Sequence, residues 1–204
     1  DPTQSLLWQL ESAQLSARGI DIHLFGSIHV GKREFYPLPA AVEAMFRTAD
    51  NLVFEVDPQA ASNPQAAMRV QLQGMLTNGQ TLQDVLSAKT LSNLETVLAS
   101  MNIPMANFIN FKPWMIALLL TNLQASSLGY DPLFGLESYL LSQKPPQMQI
   151  LELESMQQQL DMLEVLDPEI FLGYSLEEFS SSVETMASLV EAWLCGDKQT
   201  LQEI

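Results

Sequence analysis

The residues of this sequence best suited to chemistry are His29, Glu55, Glu152 and Glu154. The chain holds two histidines, His23 and His29, and both lie within IHLFGSIHVG at 22–31. An imidazole combined with carboxylates suits a first-row divalent metal such as manganese, cobalt, iron or zinc. Such a metal lowers the pKa of a bound water and polarises a carbonyl. Each residue also has a plainer reading. A histidine at a strand end is commonly a hydrogen-bonded structural residue. Glu152 and Glu154 share one strand face and are equally read as solvated. Glu55 stands inside the apolar LVFEV at 52–56, where a buried carboxylate needs a partner or a metal. His23 alternates with Ile22 and Leu24 and reads as structural or surface.

Other chemistries find less support. No Ser-His-Asp set is arguable, and the glycines form neither G-x-G-x-x-G nor a phosphate-binding loop. The single cysteine, Cys195, excludes an internal disulfide and a C-x-x-C zinc pair. It stands far in sequence from either histidine, so a Cys-His pair has no supporting feature.

The elements that must position these residues follow from periodicity. Ser5–Glu11 has strand character, and Ile20–Phe25 alternates Ile20, Ile22 and Leu24 against Asp21, His23 and Phe25, the period of a half-buried strand. Together they read as a hairpin feeding into Gly26, whose missing Cβ would let backbone approach closely. Pro37 and Pro39 precede a helix over Ala40–Thr48, and Leu52–Val56 is a short strand ended by Asp57-Pro58. Residues 20–56 thus form strand, loop, helix and strand, a βαβ order that favours parallel strands. From about 60 to 142 the pattern is helical. Asn63-Pro64 opens one helix, Thr81 to Asp84 has a capping pattern, and Ser92–Ala99 is a further helix. Pro113–Ser127, with Trp114, Ile116, Leu118, Leu119, Leu120 and Leu123, reads as a buried helix. Met148–Leu153 is a third core strand. A last long helix, Ser175–Leu194, is read from a capping box Ser175…Glu178 and a stripe of Leu176, Phe179, Val183, Met186, Leu189, Val190 and Trp193, with Gly196 as C-cap. The fold expected is α/β, a small mixed or parallel sheet with a large helical insertion. Ligands in open α/β sheets bind beyond the carboxyl ends of strands. Those ends are where His29, Glu55 and Glu152-Leu153-Glu154 fall.

The composition bounds the partners. With 204 residues, 47% hydrophobic and 16% charged, the chain is globular, and a net charge of -15 repels phosphate backbones. Nucleic acid is therefore excluded as a partner. The longest apolar run, Trp114–Leu120, is far short of a membrane span. The charge-poor, glutamine-rich surface is reminiscent of exported bacterial proteins, and the start Asp1-Pro2-Thr3 fits either a processed mature terminus or a trimmed chain.

A set of short motifs, in order over nearly the whole chain, resembles the TraB/GumN family. They are LFGSIHVG at 24–31, YPLP at 36–39, LVFEVD at 52–57, KPW at 112–114, GYDPLFGLESYLL at 129–141, LELESMQQQLDML at 151–163 and WLCGD at 193–197. That family includes the Tiki metalloproteases and is related to the erythromycin-esterase and ChaN-like proteins. The resemblance implies one domain over 1–204 with 60–142 as its helical insertion. It implies a metal-dependent hydrolase, most specifically a peptidase, holding manganese, cobalt or zinc and acting on a peptide or protein. His29, of the GxxH motif, Glu55 and Glu154 would be metal ligands and catalytic groups. Lys112, Asp131, Gln159 and Gly26 would bind substrate. Glu137 stands where the family often has Asp. The family's second GxxH motif is not in this sequence: either it would lie beyond Ile204, bringing another histidine and further strands, or the chain is a variant with half a site. Placement would be extracytoplasmic, periplasmic or secreted. The competing expectation is a non-catalytic extracytoplasmic protein that sequesters a peptide or small ligand.

Overall fold

The computed structural model describes residues 6–61 and 63–203, without the side chains at 60–61 and 180–184. Ser5 of the first strand and Val183 of the last helical stripe therefore lie outside it. The elements in order are β1 (Leu7–Leu10), α1 (Ala13–Ser16), β2 (Ile22–Phe25), α2 (Ala40–Thr48), β3 (Asn51–Phe54), α3 (Pro58–Ala61), α4 (Pro64–Gln73), α5 (Leu82–Val85), α6 (Ala88–Ser100), α7 (Pro113–Ser127), α8 (Leu136–Gln143), β4 (Gln149–Glu152), α9 (Met156–Glu164), α10 (Pro168–Cys195) and α11 (Lys198–Glu203). The protein is α/β, with small sheets and a run of helices, α3 to α8, between β3 and β4.

The strands form two two-stranded sheets. β1 and β2 are antiparallel, with Gln9 opposite His23 and Leu7 opposite Phe25. β3 and β4 run parallel, because the hydrogen bonds from Gln149 N–H to the Asp50 carbonyl and from Leu153 N–H to the Phe54 carbonyl advance together along both strands. The strand–helix–strand order over 20–56 is present, but β2 and β3 are not hydrogen-bonded to each other. The parallel partner of β3 comes instead after the helical insertion. Alternation in β2 does not produce a half-buried strand either. Ile22 and Leu24 are 36% and 59% exposed, since among the described residues β2 has only β1 beside it.

Two compact units divide the chain. One comprises residues 1–51, 129–149 and 183–204. Its buried side chains include Ile28, Val42, Phe46, Leu136, Leu140, Val190 and Trp193. Trp193 donates its indole N–H to the Gly26 carbonyl at 2.8 Å and lies with its ring 6.2 Å from those of Phe25 and Phe35. Helix α10 ends next to it in a Schellman arrangement. Gly196 has φ +67°, Asp197 N–H bonds the Ala192 carbonyl at 2.8 Å, and Gly196 N–H bonds that of Trp193 at 3.3 Å.

The other unit comprises 52–128 and 150–182. Its core is built on Leu82, Leu94, Leu98, Ile116, Leu120 and Leu172, each at most 1% exposed. Burying such a side chain contributes roughly 1.5–3 kcal/mol. α7 is buried at Trp114, Met115, Ile116, Ala117 and Leu120, whereas Leu118 and Leu123 of the expected buried face are 38% and 37% exposed. Asn63 caps α4 by accepting from Gln65 N–H at 2.9 Å. The start of α10 departs from the capping box expected at Ser175. Asp167 Oδ1 accepts from the N–H groups of Glu169 and Ile170 at 2.9 and 3.0 Å, and Pro168 occupies the first turn, where it needs no partner. The helix therefore starts at Pro168. Ser175 is interior, its hydroxyl donating to the Phe171 carbonyl at 3.0 Å.

Candidate functional site

His29 follows β2 in a loop that is bonded, backbone to backbone, against the segment entering α8. Gly31 and Asp131 exchange N–H···O bonds of 3.1 and 2.9 Å, and Leu136 N–H bonds the Ile28 carbonyl at 2.9 Å. The approach depends on glycine. A Cβ at Gly31 would lie 2.2 Å from the Phe134 carbonyl oxygen, and one at Gly135 would lie 2.3 Å from that of His29. Asp131 is part of this clasp, and its carboxylate accepts from Leu133 N–H at 2.8 Å. Gly26 packs its backbone against Leu6, with a would-be Cβ 3.0 Å from the Leu6 Cβ.

The clasp delivers Glu137, in the first turn of α8, to His29. Glu137 Oε1 lies 2.9 Å from His29 Nδ1, and the Ser27 hydroxyl donates to the same oxygen. Burial disfavours the Glu137 anion. The hydrogen bonds from His29 and Ser27, its own backbone amide and the nearby imidazole outweigh that, and hold the carboxyl below its ordinary range. An ionised carboxylate only accepts, so Nδ1 carries a proton and donates it to Glu137. The imidazole is 76% exposed. This carboxylate–histidine pairing orients ligating and proton-transferring histidines alike.

Beside this pair the same unit carries a cavity of about 400 Å³. Tyr36 and Tyr139 form part of its wall, with rings stacked 3.9 Å apart at 12°. Tyr36 donates to the Phe134 carbonyl at 2.8 Å and Tyr139 to Glu43 at 2.5 Å. Burial, with the Glu137 charge and Tyr139 nearby, pushes the Tyr36 hydroxyl up to about 12, so it stays protonated near neutrality.

In the other unit Glu55 and Glu154 come together. Both the Leu153 and Glu154 N–H groups bond the Glu55 carbonyl, at 3.2 and 3.0 Å. Gln159 Nε2 donates to Glu55 Oε1 at 2.7 Å and to Glu154 Oε1 at 3.1 Å, so one amide spans two carboxylates. A capping box at the start of α9 sets that amide. Ser155 N–H bonds Gln158 Oε1 at 2.7 Å, and Gln158 N–H bonds the Ser155 hydroxyl at 3.3 Å. Glu55 is exposed, just past the end of β3, and not buried in an apolar strand. Glu152 acts apart from Glu154, accepting from Asp57 N–H at 3.1 Å.

Lys112, preceding α7, ion-pairs with Glu164 at 2.7 and 2.8 Å, and the Trp114 indole N–H donates to the same carboxylate at 3.2 Å. These three side chains line a second cavity, of about 160 Å³.

The donor chemistry suits a divalent metal, but the donor count is short. His29 with Glu137, or Glu55 with Glu154, gives two protein ligands, where catalytic zinc sites use three. Among the described residues no group of three or more His, Cys, Asp or Glu is disposed to hold a metal. Sequence reasoning missed Glu137 as the partner of His29, and missed Ser27 and the tyrosine cavity. Of these only Glu137 carried a signal, as an acid in a helix first turn. The S-x-x-Q of Ser155 to Gln158 was a legible cap that would have placed Gln159.

Comparison with known proteins completes the picture. The family model described as TraB/PrgY/gumN family matches residues 6–204. The uncharacterized protein YbaP of Escherichia coli (strain K12) is 28% identical over 180 residues, covering 87% of this chain and 65% of YbaP. An uncharacterized protein of Treponema pallidum (strain Nichols) is 24% identical over 211 residues, covering 98% of this chain and 60% of that protein. The chain thus spans less than two thirds of the length of these relatives. No solved structure matches. Among the described residues no helix is long and apolar enough to cross a membrane.

Proposed function

The chain belongs to the TraB/PrgY/gumN family, and from that membership we propose that it is a metal-dependent hydrolase acting on peptides, in an extracytoplasmic setting. His29 is the proposed metal ligand through Nε2, with Glu55 and Glu154 as the carboxylates of the chemistry. Manganese, cobalt or zinc is the proposed metal. The observation that carries this reading is the Glu137–His29 contact of 2.9 Å. It supplies the outer-shell partner that ligating histidines ordinarily have. Gly26, Lys112, Asp131 and Gln159 are the proposed substrate-side residues, though each also has the structural bonds described above.

The test is calorimetric titration of manganese, cobalt and zinc into the protein and into His29→Ala and Glu55→Ala, followed by incubation with a peptide library. Metal binding lost in both variants, with metal-dependent cleavage by the parent, is the expected result. A parent protein that binds none of the metals and cleaves no peptide overturns it.

A second reading, a binding protein without turnover, is favoured by the 400 Å³ cavity, which neither His29, Glu55 nor Glu154 lines. Ligand affinity retained in His29→Ala, with no product from the parent, selects that reading.

A further inference from the structure

The cavity beside the His29–Glu137 pair has a chemistry of its own. Arg33 is the only charged side chain among the described residues that line it. The chain has 9 basic residues, and several are already engaged. Lys32 lies 4.5 Å from the Tyr130 ring and Lys198 4.6 Å from that of Trp8. Arg47 pairs with Glu43, Lys112 with Glu164, and Lys144 donates to the carbonyls of Pro145 and Met148. Arg33 is exposed, and among the described residues it makes no ion pair or side-chain hydrogen bond.

The hydroxyls lining the cavity have the opposite character. Tyr36, Tyr139 and Ser142 all give their hydrogens to protein acceptors, at 2.8, 2.5 and 2.7 Å. Each hydroxyl has one hydrogen, so each can only accept from a ligand. The cavity thus offers a cationic donor, several neutral acceptors and an apolar lip, where Leu133 and Phe134 are 76% and 36% exposed. A ligand matching it has one carboxylate, an N–H to give and an apolar side chain. The C-terminal residue of a peptide has all three. A phosphate lacks the last two. Glu137 is followed in α8 by Ser138 and Tyr139, both of which line the cavity.

We propose that this cavity is a subsite for the C-terminal residue of a peptide, with its carboxylate on Arg33, its amide N–H toward the tyrosine and serine oxygens, and its side chain against Leu133, Phe134 and the Tyr36–Tyr139 stack. Its size lies in the usual range for small-ligand clefts. As a substrate subsite it rests on the peptide-hydrolase reading, but its occupancy does not require turnover.

The experiment is calorimetric titration of N-acetyl-Ala-Phe, and of the same dipeptide with its C-terminus amidated, into the protein with EDTA present. The acid is expected to bind about tenfold or more tightly than the amide, a difference one charge-assisted contact supplies. Arg33→Gln removes the discrimination by weakening the acid more than the amide, and Arg33→Lys restores part of it. Equal affinity for acid and amide, discrimination that survives Arg33→Gln, or no binding of the acid at millimolar concentration overturns the proposal. Discrimination by a protein that cleaves nothing with any metal leaves the subsite standing and removes the peptidase reading. Metal-dependent cleavage with no acid–amide discrimination does the reverse.

Discussion

Glu137 Oε1 and His29 Nδ1 meet at 2.9 Å although the two residues stand far apart in the chain. What joins them is the glycine-dependent backbone clasp between the His29 loop and the entrance to α8. The imidazole therefore inherits its orientation from main-chain hydrogen bonds as well as from its carboxylate partner.

The acid limb of stability reports this contact. The Glu137 carboxyl is held below 4.5 in the folded protein and returns toward that value on unfolding. As pH falls the unfolded chain takes up this proton first. The stabilisation is complete well above 4.5 and is lost as pH falls through the folded value. Glu137→Gln keeps an acceptor for Nδ1–H but does not titrate. Denaturant unfolding followed from neutral pH downward is expected to show a shallower acid dependence in Glu137→Gln than in the parent. Identical slopes would disprove the shift.

Three glycines separate close approach from flexibility. Gly31→Ala and Gly135→Ala each push a Cβ into a carbonyl oxygen, at 2.2 and 2.3 Å. Each is expected to cost about 2–3 kcal/mol as the clasp is forced apart. Gly173 lies inside α10 with nothing within 4 Å of an added Cβ. Gly173→Ala is expected to stabilise by about 0.5–1 kcal/mol, through helix propensity and a less free unfolded chain. Chemical denaturation midpoints decide all three, and a destabilised Gly173→Ala would count against this placement of α10.

Gln159 keeps two carboxylates in one place. Gln159→Leu removes both donors and is expected to lower stability by about 1 kcal/mol at neutral pH. In a Glu55→Gln background the loss should be smaller, because one of the two anions is gone. A double-mutant cycle measures that coupling, and strictly additive effects would show that the amide does not mediate it.

Lys112 allows a substrate role to be separated from a structural one. Lys112→Ala leaves Glu164, among the described residues, with only the Trp114 indole N–H as donor in a half-buried place. Unfolding should show a loss of about 1–2 kcal/mol, mostly recovered in Lys112→Ala/Glu164→Ala. An unchanged midpoint would leave substrate contact as the sole reason for the residue.

Local order was legible where one signal dominated. α2 and α7 begin and end at the residues that proline placement and apolar spacing mark, Ala40–Thr48 and Pro113–Ser127. Reading failed where two signals competed. Ser175…Glu178 has the form of a cap, but Asp167-Pro168 starts the same helix seven residues earlier and leaves Ser175 inside it. Alternation in β2 describes which residues share a face, and says nothing of whether another layer covers that face. Within the site, the residue types His29, Glu55, Glu154 and Gln159 were readable from the sequence. Their partners Glu137 and Ser27, and the tyrosine cavity, depend on contacts between distant segments, which no local spacing encodes.

The Gly31–Asp131 bridge also bears on how the site opens. Its amide hydrogens, with that of Leu136, belong to bonds joining two separate stretches of chain, and none of them breaks without disturbing the others. In deuterated water these three amides should therefore exchange as one cooperative group, at a common opening free energy, while amides at the ends of neighbouring elements exchange singly and sooner. The imidazole and its carboxylate would then travel as a single rigid body, and any fluctuation that parts them is a local unfolding event, not a side-chain rotation.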